Sequence, residues 1–577
     1  MSTLDEKLQP WTSDRINDYV RLLYGRSTWQ RKQDRIDAVC RYLLEPATLA
    51  DVWGRLDELS RRAVSTAFHN GGEWDESAFI AHYGARPTAP ADEKSIFSFY
   101  WRPILFDLFV FDGEIPDDLL PHLEALVLPR DPFQPEGLDE LPAEHQTWHG
   151  LEPLTQAWTE QTGRADLLAY LHLVEQQGLS WSRSNDQLTG TSLRKLYAHL
   201  SAADYYDEPA KMSVSQVIRP VGLDQFARSA GLVTSYGVLT PAGRQFLQTQ
   251  DPELFLTAFE EWTTSNHFDE LTRITQLRGL KGRATRLTKP GSRREKIIEA
   301  LSWCPTGVWI RCQEFFRAVK IWQFDFEVEQ GDWSNLYVGS YRDYGEMMGE
   351  TYWQVVKGLY IKAILMEQLA TIGAVDIAYV DGEYGEWPND LYVDGPLSPY
   401  DGLIYFRINS WGAFLFGQGE AYTPADTPPD ALFTIDDRRK LQPVRTWLPH
   451  ERIQIEALTV PAGAEHYELT NEQLLTAVAA GQTIEQIRAF LGDHHQGPLP
   501  PTISAWLDEL KSNLGAFKVG AEAVRIKING AGRDLLKSDP ELARLCQPLD
   551  DGHVLVLKQR LSRLRNRLRS LGFLLGE

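Results

Sequence analysis

The sequence predicts an α+β protein that is predominantly α-helical and is built from tandem winged-helix units with short β-hairpins. Apolar residues recur at helical spacing over much of the 577-residue chain. A strand–turn–helix pattern with an internal glycine also occurs three times at domain-scale spacing. The length predicts about three to four domains. With 43% hydrophobic and 11% aromatic residues, each of them can form a buried core.

Residues 1–130 are predicted to form an N-terminal helical domain. Ile16, Tyr19 and Val20 lie on one helical face, and similar stripes follow near residues 36–43 and 56–68. Ser77 is predicted to cap a short helix. Prolines at 129, 132, 135 and 142, set among polar residues, predict a linker over 130–150.

The repeat is carried by three glycines that follow a β-like run. Residues 238–252 parallel residues 527–540, with Gly243 in register with Gly532, and 407–416 is a weaker copy around Gly412. We interpret each copy as the last strand of a wing that enters the next helix. The alternative is a chance match, because strand–turn–helix segments are common. The repeat predicts winged-helix-like domains at 150–250 and 290–425, followed by a last domain at 426–577.

The middle domain, 290–425, has the most detailed prediction. Helices are expected near 294–301 and 312–319, with a longer helix near 352–369. The wing is expected to pair 375–380 with 403–408, and the residues between these strands would form its long acidic tip.

Residues 467–518 predict three short helices followed by a strand. Thr470 and Thr483 are placed to cap the first two helices. Gly481 ends the first helix, since glycine adopts positive φ without strain. A third helix follows the prolines at 498–501, and the alternation over 517–528 predicts a strand of a hairpin. This order is typical of a winged helix, a variant of the helix-turn-helix.

The same segment resembles the N-terminal regulatory domain of the XPB/Ssl2 helicase family. The matching positions are Tyr467, Leu469, Thr470, Leu474, Ala477, Val478, Gly481, Leu499, Pro500, Gly515 and Lys518. The likeness covers about sixty residues and then fades into a looser similarity to bacterial helicase-associated domain proteins. It implies a non-catalytic domain that regulates a helicase and contacts partner subunits or DNA. It also implies a place in bacterial DNA repair or anti-phage defence.

Motifs for the common catalytic chemistries are absent from the sequence. No Gly-Lys-Ser or Gly-Lys-Thr ends a phosphate-binding loop, and no G-x-S-x-G or His-Glu-x-x-His motif occurs. His145 and His149 are placed to share a helix face, but a third zinc ligand is missing. We therefore expect no enzyme activity, no cofactor and no metal. An enzyme whose site is assembled from distant residues remains a third possibility.

Nine lysines and arginines fall within residues 273–296, and Glu295 is the only acid among them. In a chain with a net charge of −22, such a segment is where phosphates would bind. The alternative is a solvated linker. The C-terminal helix, over 557–571, carries a leucine stripe that is expected to pack on its own domain, with arginines on the rest. The predicted DNA contacts are Arg278, Lys281, Arg283, Arg286, Lys289, Arg293, Arg294, Arg563 and Arg567.

Residues 363–406 contain no lysine or arginine but many acids and aromatic residues. DNA would repel this stretch, whereas a protein partner would suit an exposed acidic–aromatic surface. The alternative is an ordinary hairpin with a solvated tip. The predicted partner contacts are Tyr384, Glu386, Trp387 and Asp390.

Together these features predict a non-catalytic cytoplasmic protein that binds duplex or forked DNA, a helicase or nuclease subunit, or both. The N-terminus is too acidic and polar for a signal peptide, the four cysteines fit a reducing compartment, and the apolar runs are too short to span a membrane. The alternative function is a protein-only scaffold that recruits partners through winged-helix surfaces.

Overall fold

The computed structural model describes the chain apart from residues 1, 89–102, 148, 183–185, 202, 207–211, 282–285, 331–335, 339–348, 387–394, 424–430, 464–465, 515, 517–520, 551 and 577. The fold is mixed, with about 49% helix and 14% strand, and its sheets are small and antiparallel. The chain divides into two compact units. The first contains residues 1–428 and 446–457, and the second contains residues 429–445 and 458–577.

The N-terminal helices of the first unit enclose a core of their own, which runs from Leu4 to Leu123. These helices are α1 (Leu4–Leu8), α2 (Ser13–Tyr24), α3 (Lys32–Leu43), α4 (Pro46–Arg55), α5 (Glu58–His69), α6 (Glu76–Tyr83) and α7 (Leu120–Leu123). The predicted stripes are buried, as Ile16, Tyr19 and Val20 show. The expected cap at Ser77 is wrong, because the carboxylate of Asp75 accepts the N–H of Ala78 and starts α6 two residues earlier.

The rest of the first unit shares one core, to which residues of both predicted domains, 150–250 and 290–425, contribute. Its strands are β1 (Gly137–Leu138), β2 (Glu144–Thr147), β3 (Gly150–Pro153), β4 (Thr155–Ala157), β5 (Leu277–Arg278), β6 (Trp309–Arg311), β7 (Tyr337–Val338), β8 (Val375–Tyr379) and β9 (Leu403–Ile408). Its helices are α8 (Glu160–Glu175), α9 (Gly190–Tyr197), α10 (Arg219–Ser229), α11 (Pro241–Thr249), α12 (Pro252–Thr264), α13 (Pro290–Ser302), α14 (Cys312–Ile321), α15 (Gly349–Tyr352), α16 (Leu359–Ala363), α17 (Ser410–Leu415) and α18 (Pro449–Leu458).

A five-stranded antiparallel sheet in the order β1-β6-β9-β8-β4 lies at the centre of this unit. The predicted pairing of 375–380 with 403–408 is confirmed, since β8 pairs with β9 from Val375↔Ile408 onward. The three predicted helices are confirmed as α13, α14 and a helical run over 349–369. The predicted linker at 130–150 is wrong, because β1 pairs with β6 and β2 forms a hairpin with β3.

The helical run over 349–369 is buried on every side from Val355 onward, which makes it the central helix of the core. Two π-helical stretches, Trp353–Gly358 and Ile364–Leu369, alternate with α15 and α16. Polar residues in this run, such as Lys362 and Glu367, are enclosed together with the apolar ones. Each of these charged groups therefore needs a partner inside the protein.

The second unit combines two small sheets with six helices among the residues that the structure describes. Its elements are β10 (Phe433–Ile435), β11 (Lys440–Pro443), β12 (Thr459–Gly463), β13 (His466–Leu469), α19 (Asn471–Ala479), α20 (Ile484–His494), α21 (Pro501–Asn513), β14 (Ala523–Lys527), α22 (Gly530–Ser538), α23 (Pro540–Leu545), β15 (Gln547–Asp550), β16 (His553–Leu557) and α24 (Leu561–Ser570). The sheets have the strand orders β10-β11-β13-β12 and β14-β16-β15.

The three helices predicted in residues 467–518 are confirmed. Thr470 and Thr483 accept backbone N–H groups at the starts of α19 and α20, and Gly481 has a φ of 113°. The hairpin expected directly after them is wrong, because β14 pairs with β16, and α22 and α23 intervene. Leu557 ends a strand, so the C-terminal helix begins only at Leu561.

The three repeat glycines share one local position. Each is the third residue of its helix, and its N–H bonds to the N-cap side chain, Thr240, Asn409 or Asn529, at 3.0 Å. A Cβ on Gly243 would collide with the carbonyl oxygen of Leu232, and one on Gly412 with that of Ala374. Leu232 comes directly before Val233, which pairs with Leu239 ahead of α11. Ala374 likewise comes directly before Val375, which pairs with Ile408 ahead of α17.

The third copy of the repeat matches the other two only in its cap. A Cβ on Gly532 would meet nothing nearer than the Ile528 side chain, at 3.3 Å. The strand before it is β14, the first strand of its sheet in chain order, whereas Gly412 follows β9, a later strand. The first two copies are therefore equivalent in structure, and the third is equivalent only at the helix start.

This difference predicts that a glycine-to-alanine substitution changes the free energy of unfolding by different amounts at the three positions. Gly412→Ala and Gly243→Ala should each lower the free energy of unfolding by about 1–3 kcal/mol, because the backbone must move away from the new methyl group. Gly532→Ala is the matched control and should be neutral or stabilise by up to about 1 kcal/mol through helix propensity. Urea denaturation of the three variants, followed by circular dichroism, measures these costs. An equal decrease in all three would contradict the close approach.

Candidate nucleic-acid interface

The basic segment 273–296 divides into buried and exposed arginines. Arg293 and Arg294 are 1% and 0% exposed, and Arg273 is 5% exposed. Arg293 bonds both oxygens of Asp269, at 3.1 and 2.7 Å. The prediction that Arg293 and Arg294 contact DNA is therefore corrected, because both guanidinium groups are enclosed and neutralised inside the first unit.

Arg294 closes the C-terminal end of α12. Its Nε donates to Glu270 at 2.8 Å, and its two Nη atoms donate to the carbonyls of Trp262, Ser265 and Phe268 at 2.6–3.0 Å. Tyr360 donates its hydroxyl to the second oxygen of Glu270 at 3.0 Å. Carbonyls at a helix C-terminus carry partial negative charge, so the arginine satisfies them and neutralises Glu270 together.

Arg273 forms a second buried pair. Its Nη2 lies 2.6 Å from Glu367, and it also donates to the carbonyls of Val214 and Val217. Tyr400 donates to the same carboxylate at 2.6 Å. Glu270 and Arg273 both lie in one 3₁₀ turn, Glu270–Arg273, so this short turn connects α12, α13 and the central helical run.

Four other predicted contacts in the segment, Arg278, Lys281, Arg286 and Lys289, are exposed. They do not lie on a free loop. β5 pairs with β7, and Leu287 bridges Glu329, so the two ends of 277–288 lie antiparallel to 328–338. Arg283 lies outside the described residues. Glu329, which lies opposite Leu287, reduces the local positive charge of this segment.

The two described residues of the predicted partner surface, Tyr384 and Glu386, are half-buried and contact the rest of the protein. Glu386 accepts from His145 at 2.9 Å and from Arg311, and Tyr384 stacks on His149 with ring centroids 5.1 Å apart. His145 lies in strand β2, which corrects the expected helix face. Trp387 and Asp390 lie outside the described residues.

Other acids of the same stretch are also enclosed. Asp376 is 1% exposed and bonds Arg407 at 2.7 Å. Asp401 is 0% exposed and bonds the N–H groups of Leu397 and Ser398. These carboxylates stabilise the sheet and its connections, so the acidic–aromatic composition does not by itself mark an exposed surface.

The strongest basic surface lies in residues 523–572 of the second unit. This module has eleven lysines and arginines against five acids, a net charge of +6 in a chain of −22. Eight of these cations are exposed and form no ion pair with any described residue. They are Lys527, Arg533, Lys537, Arg544, Arg560, Arg563, Arg565 and Arg569.

The module separates its apolar and charged sides. Leu542, Val554, Val556 and Leu564 are buried in one cluster, with Leu561, Leu568 and Leu571 packed against it. This confirms that the leucine stripe packs on its own domain. Along β14, Ile526 faces that core, whereas Arg525 and Lys527 point to the other side of the sheet. On α24, Arg563, Arg565 and Arg569 are exposed.

Arg567, a predicted DNA contact, has a structural partner. Its Nη2 lies 2.6 Å from Asp539, and its Nε lies 3.1 Å from Glu541. The hydrogen bond from Arg567 holds the pKa of Asp539 below its usual value, with help from the N–H groups of Leu542 and Glu541. Arg567 therefore ties α24 to the start of α23 and is a poorer phosphate contact than Arg563.

Lys527, Arg533 and Lys537 are absent from the predicted DNA contacts, although the sequence contains a signal for them. The net positive charge over 523–572 distinguishes this module from the acidic rest of the chain, whereas a search for basic faces one helix at a time indicates only the last helix.

Among the described residues, no group of three histidine, cysteine or acidic side chains could hold a metal ion. No helix within the described ranges is long and apolar enough to cross a bilayer.

Comparisons with protein-family models and with curated proteins found no match to this chain.

The two classes of arginine predict different costs of truncation. Arg294→Ala leaves the buried Glu270 without its positive partner and removes a donor from three carbonyls, so it should lower the free energy of unfolding by about 3–5 kcal/mol. Arg278→Ala, in the same basic segment but exposed, should change it by less than about 0.5 kcal/mol. Urea denaturation measures both variants. Similar values for the two would contradict the assignment of Arg294 to the core.

Glu386 predicts a pH-dependent contribution to stability. Burial alone raises its pKa, but the bond from His145 and the charges of Arg311 and Lys362 outweigh burial and lower it to about 2. Since the folded pKa lies below the ordinary value of 4.5, the carboxylate stabilises the fold above about pH 4.5, and this stability is lost as the pH falls toward 2.

We therefore expect Glu386→Gln to unfold more easily than the wild type by about 1–3 kcal/mol at pH 7. The difference should shrink as urea titrations are repeated from pH 5 to pH 3. Glu383→Gln, at an exposed neighbour, is the control and should track the wild type throughout. A constant difference for Glu386→Gln at all pH values would exclude the ion pair as its cause.

Proposed function

We propose that this chain is a non-catalytic DNA-binding protein whose basic module, 523–572, binds the phosphate backbone of duplex or forked DNA. One observation carries the proposal: eight exposed cations without ion-pair partners among the described residues lie on a module with its own core. Phosphate neutralisation by such cations releases condensed counterions and supplies affinity without reading sequence.

The order of elements from α21 to the end of the module supports a winged-helix assignment. A winged helix runs helix, strand, two helices and a two-stranded wing, and its first strand pairs with its third. Here α21, β14, α22, α23, β15 and β16 follow that order, and the sheet order is β14-β16-β15. In helix-turn-helix proteins, the second helix of the motif enters the major groove and its neighbours contact phosphates.

The middle of the first unit supports a second unit of the same kind. The helix α13, strand β6, helix α14, the run over 349–369, and strands β8 and β9 follow the same order, and β9 lies between β6 and β8. Asp376 and Asp401 of this unit are buried, and Arg293, Arg294 and Arg407 are ion-paired, so we assign the unit an architectural role. The resemblance of 467–518 to a helicase regulatory domain adds a helicase or nuclease subunit as the proposed partner, within bacterial DNA repair or anti-phage defence.

Charge reversal tests the DNA proposal. The triple variant Arg563→Glu, Arg565→Glu and Arg569→Glu should bind a forked duplex at least about tenfold more weakly at low salt. Its slope of log affinity against log salt should fall by roughly 0.9 for each phosphate that the variant no longer neutralises. Fluorescence anisotropy over a salt series measures both quantities.

A matched triple reversal separates local binding from net charge. Arg26→Glu, Arg31→Glu and Arg41→Glu changes the total charge equally at exposed positions of the N-terminal helices. This variant should keep wild-type affinity and slope. Equal weakening of both triple variants, or no binding by the wild type at low salt, would overturn the proposal. A partner that stays bound after nuclease treatment would instead favour the protein-only scaffold.

A further inference from the structure

A cavity of about 170 Å³ lies beside α10 in the first unit. One wall is a single face of α10, which carries Val221, Asp224, Gln225 and Arg228 at helical spacing. Phe268 also lines the cavity, from the segment that follows α12. The lining therefore combines apolar side chains with several polar ones, three of which lie on α10.

The guanidinium of Arg228 is only partly satisfied. Its Nη atoms donate to Asp186 and to the carbonyl of Ser235, and Nη1 lies 3.6 Å from the Oδ2 of Asp224. Its Nε is buried and has no acceptor. A buried donor without an acceptor costs free energy, so this nitrogen favours an occupant that presents one.

Asp224 and Gln225, next to Arg228, also have hydrogen-bonding atoms without a hydrogen-bond partner among the described side chains. Asp224 accepts from Tyr170 and Trp181 through Oδ1, both at 2.8 Å, while Oδ2 stays beyond hydrogen-bond distance of Arg228. Gln225 accepts from Gln368 through Oε1, and its amide nitrogen has no acceptor among the described side chains. One face of α10 thus offers two donors and one acceptor side by side.

The charge of the site restricts the class of ligand. Asp186 and Asp224 together outweigh the single positive charge of Arg228, so an anion would be repelled. Burial lowers the pKa of His267, which also lines the cavity. The complement of this site is an uncharged molecule with adjacent acceptor and donor groups.

The volume restricts the size of the ligand. Pockets for drug-sized molecules occupy about 300–1,000 Å³. An apolar cavity of about 150 Å³ holds one benzene ring. We propose that this cavity binds one uncharged heterocyclic ring of the nucleobase class, with its hydrogen-bonding edge on α10 and its face against Phe268.

Ligand-observed NMR on the full chain tests the proposal with adenosine, guanosine, cytidine and uridine, each at millimolar concentration. At least one nucleoside should bind saturably, and inorganic phosphate should not compete with it. Val221→Phe fills the cavity without removing a polar group and should weaken binding about tenfold or more. Val238→Phe makes the same change at an exposed position and should bind as the wild type does.

Gln225→Leu is the second variant, for use if Val221→Phe loses its folded circular dichroism spectrum. A duplex with one bulged nucleotide, added as a competitor of the bound nucleoside, distinguishes two ligands. The duplex displaces the nucleoside if the cavity accepts an unpaired base of a nucleic acid, and it does not if the cavity accepts only a free nucleoside. The triple reversal of Arg563, Arg565 and Arg569 should leave nucleoside binding unchanged, which separates this site from the DNA proposal. Absence of saturable binding by all four nucleosides, or equal binding by Val221→Phe and the wild type, would overturn the inference.

Discussion

The fold of the first unit depends on two buried ion pairs that share one 3₁₀ turn. Glu270 holds Arg294 of α13 and Tyr360 of the central helix, while Arg273 holds Glu367, which Tyr400 also contacts. Removing such charges from water costs several kcal/mol for each ion, and the cost is recovered only with good geometry and full hydrogen bonding. Few alternative packings satisfy all these groups together, so the pairs fix how three helices meet.

This constraint explains why the basic segment is wrongly predicted from sequence to bind DNA through Arg293 and Arg294. Arginine density does not distinguish a phosphate-binding surface from a set of internal ion pairs. The helical spacing does distinguish internal arginines from surface ones, because Arg293 and Arg294 lie one turn before Ile297 and two turns before Ala300 and Leu301. An arginine on the apolar face of a helix is enclosed with that face, and its charge must then be met by an internal carboxylate.

The sequence predicted the longer elements well and the shortest strands poorly. The helices after Thr470 and Thr483 were identified because caps and apolar spacing act locally. The pairing of β8 with β9 followed from two apolar runs of strand length. β1, β4 and β6 have only two or three residues, so no alternation exists to detect, and their place in the sheet depends on partners more than ninety residues away. The polar face of α10 was missed because its residues become a site only when Phe268 and Asp186 pack against it.

The charge of the whole chain is a poor guide to the basic module. Screening limits electrostatic influence to about 8–10 Å at physiological salt, so acids elsewhere in the chain act weakly on 523–572 unless they are close. Within the module, one acid, Asp539, is committed to Arg567 and to the first turn of α23. The leucines of α24 point to the core, which leaves Arg563, Arg565 and Arg569 in solvent. The same packing that stabilises the module therefore leaves its unpaired cations in solvent, and their local density gives the surface its positive potential.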